Sequence, residues 1–146
     1  MERQKMNLEQ HMGRITFRIN YTPPNWNSYI DAERSSYYLA NKIKQDEKKM
    51  MRLATIGLKY KGNYPIEIHF KVHYKDYRQD LDNFRYKGIL DGLVASGVIK
   101  NDNLNCIQKI TLEPIFDNQG GIEVEIGEIN GDKCNKRGTK QNPDKD

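Results

Sequence analysis

The chain has 146 residues, of which 36% are hydrophobic and 30% charged, with a formal net charge of +4 and a pI near 9.0. That length suits one α+β-sized domain with a modest core, and no apolar run reaches the ~18 residues of a membrane span. The mild positive charge permits a polyanionic partner without requiring one. The N-terminal stretch has no apolar signal-peptide core, so the expected location is the cytoplasm. Two cysteines, Cys106 and Cys134, have no metal-ligand spacing and fit a reducing compartment.

Residues 1–12 read as a flexible leader, 13–128 as the folded domain and 129–146 as a polar, disordered tail. Residues 14–21 alternate, with Ile15, Phe17, Ile19 and Tyr21 on one side and Arg14, Thr16, Arg18 and Asn20 on the other. This period of two predicts a half-buried strand. Pro23 and Pro24 end it, and the aromatic stretch from Asn25 to Tyr29 reads as a loop.

Residues 31–58 carry apolar side chains at helical intervals, with a weak patch at 45–49. The polar side of this predicted helix bears Lys42, Lys44, Lys48, Lys49 and Arg52, diluted by Asp46 and Glu47. Such a stripe is either a solvated face or a phosphate-contacting one. Residues 65–74 predict the clearest strand, with Ile66, Ile68, Phe70 and Val72 facing the core. His69 and His73 lie on its polar side, about 13 Å apart in an extended chain, too far to share one ion.

A second helix is expected over residues 84–96, with Asp82 as N-cap and Gly97 as the left-handed terminator. Residues 107–115 and 122–126 predict two more strands, and the Gly-rich 117–121 segment signals a hairpin between them. The expected architecture is a single α+β domain. Its order is β-α-β-α-β-β, a mixed sheet with two helices on one face and the other face free.

The chemistry concentrates between Tyr77 and Asn103. Asp80, Asp82, Asp91 and Asp102 gather here around Lys87, in an otherwise basic protein. In an extended chain Asp80 and Asp82 would point the same way, about 6.5 Å apart. Their mutual repulsion is relieved by a cation, and hard carboxylate oxygens suit Mg²⁺, with Mn²⁺ as an alternative. Lys87 either stabilises negative charge on a phosphoryl group or forms an ordinary i, i+4 salt bridge with Asp91.

At these residues the chain resembles the RusA family of Holliday-junction resolvases, small phage- and prophage-associated endonucleases. The likeness is carried by Asp80-Leu81-Asp82-Asn83, by Lys87 followed by Leu90-Asp91-Gly92-Leu93, by Gly97-Val98-Ile99 and by Asn101-Asp102. Thr22-Pro23-Pro24-Asn25 and Asn27-Ser28-Tyr29 are similar to the turn after the family's first strand. The resemblance implies a metal-dependent homodimer that nicks two opposed strands of a four-way DNA junction, leaving 5′-phosphate and 3′-hydroxyl ends. It places the metal on Asp80, Asp82 and Asp102, the essential lysine on Lys87, and a secondary role on Asp91.

Lys87 lies five residues after Asp82 where the family pattern has four, which keeps Arg85 as a second basic candidate. Arg14, Arg18, Lys48, Lys49, Arg52, Arg85 and the tail segment 133–137 are candidates for DNA-backbone contacts. Two rival readings are a junction-binding protein that has lost catalysis and a nuclease for other branched DNA.

Overall fold

A computed structural model describes residues 13–129. The leader, the tail with its basic segment 133–137, and Cys134 lie outside the described residues. Four strands, β1 (Ile15–Ile19), β2 (Ile66–Tyr74), β3 (Ile107–Phe116) and β4 (Ile122–Glu128), form one sheet in the order β1-β4-β2-β3. Three helices accompany it: α1 (Trp26–Ser35), α2 (Tyr37–Ala54) and α3 (Lys87–Ala95). The fold is the α+β mixed sheet expected, with one helix more.

The strand alternation places the core as read. Ile15, Phe17 and Ile19 of β1, Ile66, Ile68, Phe70 and Val72 of β2, and Ile122, Val124 and Ile126 of β4 are buried beneath Met51 of α2 and Ile89, Leu90 and Leu93 of α3. The opposite face is polar. There His69 meets Glu113 at 2.8 Å, while His73 lies between Asp117 and Glu123 at 2.9 and 2.7 Å. The two histidines therefore serve separate carboxylates.

The expected hairpin between β3 and β4 does not form. β4 runs antiparallel between β1 and β2, pairing Val124 with both Phe17 and Phe70, while β3 lies parallel to β2 on its other side. Burial explains the choice. The inward residues of β4 are fully enclosed, which requires a neighbour on each side, whereas β3 is largely half-exposed and carries Pro114, a residue suited to a sheet edge. The 117–121 connection instead crosses the end of β2, where His73 N–H donates to Gly121 O at 3.0 Å. Gly121 has φ +83°, and a Cβ there would lie 2.8 Å from Ile19 O.

The single helix expected over residues 31–58 is two helices, and the expected aromatic loop is the first turn of α1. Asn25 caps α1 by accepting from Ser28 N–H at 2.8 Å. Ser36 adopts an extended conformation and its hydroxyl accepts from Tyr38 and Leu39 N–H, which starts α2. A serine that competes for backbone donors in this way breaks the helix where hydrophobic periodicity alone reads through it.

α3 begins three residues later than expected, because Phe84 is still extended. Its end is as read. Gly97 has φ +79°, Gly97 N–H donates to Val94 O at 3.0 Å and Val98 N–H to Leu93 O at 2.9 Å, the paired bonds of a Schellman terminus. α3 packs on α2 through Gly88 and Gly92. A Cβ at Gly92 would lie 2.6 Å from Met51 Cβ. Gly92→Ala gains up to about 1 kcal/mol of helix propensity but forces the helices apart at a cost of about 1–3 kcal/mol. Its denaturation midpoint is therefore expected below wild type, and a higher midpoint would show that the helix contact is loose.

Candidate active site

β2 leads through residues 75–79 to the acidic segment. Tyr77 packs against Phe116 with ring centroids 4.3 Å apart and planes tilted by 36°, which ties this connection to the end of β3. Asp80 is still extended, with φ −93° and ψ 138°, but Leu81–Asn83 closes a single 3₁₀ turn in which Asn83 N–H donates to Asp80 O at 3.1 Å. Asp82 is thus carried by a turn. Strand alternation does not align it with Asp80, and it does not cap α3. Asn83 Oδ1 accepts from Asn27 N–H at 3.2 Å, tying the turn to an otherwise free donor at the start of α1.

Lys87 opens α3 and its side chain is half-exposed. Its Nζ donates to Asp91 at 2.9 Å and lies 4.0 Å from Asp102 Oδ2. The helix and its glycine terminus have therefore brought Asp102 back to the lysine, a closure that spacing left open. The hydrogen bond to Asp91 raises the Lys87 pKa above its ordinary value against a smaller desolvation effect, with the charges of Asp91 and Asp102 reinforcing it. Lys87 is thus an ammonium at neutral and mildly alkaline pH, and acts as a fixed positive charge.

Arg85 is placed quite differently from the exposed phosphate contact expected. It is 2% exposed and forms a salt bridge with Glu47 of α2, itself 3% exposed. Its guanidinium lies 4.1 Å from the centroid of the Tyr29 ring and 5.6 Å from that of Trp26, both on α1. A buried, paired arginine is not free to meet DNA. Of the two basic candidates, only Lys87 stands among the acidic side chains.

The remaining basic candidates separate as well. Arg14 pairs with Glu125, and Arg18 with Glu123 at 3.6 Å, on the polar sheet face. On α2, Lys48 lines a cleft of about 410 Å³ together with Lys44, Gly88, Val94, Asp91 and Asp102. Lys49 and Arg52 are exposed and do not line it.

The model of the family Endodeoxyribonuclease RusA matches residues 10–127. The chain belongs to the RusA endodeoxyribonuclease family. No curated protein matches it. Membership makes the chain a DNA endonuclease of the Holliday-junction-resolving kind, and the match spans all three helices and the sheet up to the penultimate residue of β4. Lys87 is itself the first residue of α3, preceded by the extended Phe84 and by Tyr86 in the helical region of backbone space.

Among the described residues, no three His, Cys, Asp or Glu side chains are grouped closely enough to hold a metal ion. The donor chemistry nonetheless fits a hard divalent cation. Asp80 and Asp82 are exposed carboxylates that enter no ion pair among the described residues, and Asp102 has only Lys87 nearby, at 4.0 Å. All three offer oxygen alone, as Mg²⁺ and Mn²⁺ prefer.

Two contributors escaped the sequence reading. Glu47 looked like a dilution of the basic stripe, and spacing alone does not separate it from Asp46, which pairs with Lys42 at the surface. Asn27 was placed in a loop. Only its spacing after Pro-Pro-Asn marks it as part of a capped helix start.

Proposed function

We propose that this RusA-family endonuclease resolves four-way DNA junctions by paired, divalent-cation-dependent nicks, acting as a homodimer. The observation that carries this reading is the approach of Asp102 to within 4.0 Å of Lys87, the lysine that follows the Asp80–Asp82 turn in the chain, within a chain that matches the family over residues 10–127. Asp80, Asp82 and Asp102 would hold Mg²⁺ or Mn²⁺. When bound, such a cation supplies an activated water and neutralises the leaving oxygen. Lys87, held by Asp91, presents a permanent ammonium to the charge that builds on the phosphoryl oxygens during displacement.

A four-way junction has two equivalent strands to cut, and a two-fold dimer supplies one site for each. The test is a supercoiled plasmid carrying an extruded cruciform. Paired nicking converts it directly to linear DNA in Mg²⁺ and not in chelator, and the active species sediments as a dimer. Accumulation of nicked circles without linear product, or activity in chelator, would contradict the paired or the cation-dependent part of the reading.

Replacing Lys87 tests its electrostatic role. Lys87→Gln is expected to slow single-turnover cleavage by about 10²–10³-fold, the cost of losing one transition-state charge partner. Because Lys87 keeps its proton across this range, the factor should be the same from about pH 6 to 9. A factor that changes tenfold across that range would mean that Lys87 moves a proton.

A further inference from the structure

We infer that the cleft between α2 and α3 is a phosphodiester subsite, in which Lys44 and Lys48 hold the DNA strand beside the bond to be cut. The inference deepens the proposed function and rests on it for the identity of the ligand. It starts from helix geometry. At about 100° per residue, Lys44 and Lys48 fall roughly 60° and 100° from Glu47 on the same side of α2. Lys49 and Arg52 fall at about 200° and 140°. Glu47 is buried against α3, so the first pair borders the cleft and the second turns away from it.

Neither Lys44 nor Lys48 has an ion-pair partner among the described residues, although carboxylates are close along the same helix. Lys42 is held by Asp46 at 3.2 Å. Glu47, which lies between the two lysines in the sequence, is committed to Arg85 and sits so close over Gly88 that a Cβ there would be 2.6 Å from Glu47 Oε2. The buried pair therefore commits one of the three acids that line the cleft, the one nearest the two lysines in the sequence. Val94 and Ala95 give the opposite wall an apolar surface suited to a sugar.

Asp91 and Asp102 also line the cleft, and both face Lys87. A strand that places a phosphate at Lys87 and Asp102 thus continues into a cleft that adds two ammoniums in no ion pair among the described residues, Lys48 and Lys44, the latter with its Nζ 5.9 Å from the centroid of the Tyr29 ring. Their separation along α2, about 6 Å, spreads them along a strand. The ligand is a backbone phosphodiester, with no group in the cleft arranged to read a base.

The test compares Lys44→Gln/Lys48→Gln with Lys49→Gln/Arg52→Gln, two variants of one helix with the same charge change. Binding of a synthetic four-way junction is measured in chelator over a range of salt, and single-turnover cleavage in Mg²⁺. The cleft variant is expected to lose about tenfold or more in affinity, with the salt slope reduced by about two, roughly one per phosphate contact. The outer variant should lose several-fold less, and Lys48→Arg should retain most of the binding. Equal losses in the two variants, or none, overturn the subsite. If wild type binds and the cleft variant loses binding while neither cuts, the subsite stands and the nuclease reading fails. If wild type does not bind the junction, both fail.

Discussion

Arg85→Met is expected to destabilise the fold by about 3–5 kcal/mol, the cost of leaving one partner of a buried ion pair alone. Glu47 would then be a carboxylate 3% exposed with no cation beside it. The same substitution removes the guanidinium from the Tyr29 and Trp26 rings, so α1 and α2 lose a common contact with the segment that leads into α3. The pair is a poor store of stability in itself, because Arg85 Nε has no hydrogen-bond partner. Glu47→Met/Arg85→Met should therefore recover much of the loss. Urea denaturation of the two single variants and the double separates these effects. A double variant as unstable as the sum of the singles would show that the pair is not the source of the cost.

The second large effect is on chemistry. Asp82→Asn is expected to slow junction cleavage by about 10³-fold or more, at least about 4 kcal/mol of barrier, while the fold is unchanged. Asp82 is exposed and enters no ion pair, so its charge contributes little to stability. Binding should hold or tighten, because removing a carboxylate lessens repulsion with phosphate. Measured single-turnover rates and junction affinities distinguish this from a general loss of activity. A variant that cuts normally takes Asp82 out of the cation site, and one that fails to bind makes it a DNA contact.

The parts of the molecule legible in the sequence are those fixed by local pattern. The alternation from Ile66 to Val72 marks β2 and its buried side, and Gly97 marks the end of α3 because a left-handed residue there has a sequence signature. What stayed hidden depends on partners distant in the chain. The insertion of β4 between β1 and β2 follows from which strand buries most completely, a property of the assembled sheet. Ser36 splits the long helical period through one hydroxyl, a signal weaker than the apolar stripe it interrupts.

The site divides in the same way. Aspartate spacing and the family resemblance singled out Asp80, Asp82 and Asp102 around Lys87, and the fold brings Asp102 to the lysine. Arg85 and Lys87 could not be separated by spacing, since both are basic and lie two residues apart. Their fates were decided by Glu47, Tyr29 and Trp26, which come from two other helices. The relation of Asp80 to Asp82 was read for an extended chain, whereas Leu81–Asn83 forms a turn that only the folded chain reveals.

The most direct measurement is single-turnover cleavage of a synthetic four-way junction and of linear duplex of the same sequence, by wild type and Asp82→Asn in Mg²⁺. Wild type should cut the junction on two opposed strands and leave the duplex intact, and Asp82→Asn should bind the junction without cutting it. Equal cleavage of junction and duplex, or equal rates for wild type and variant, would contradict the proposed function.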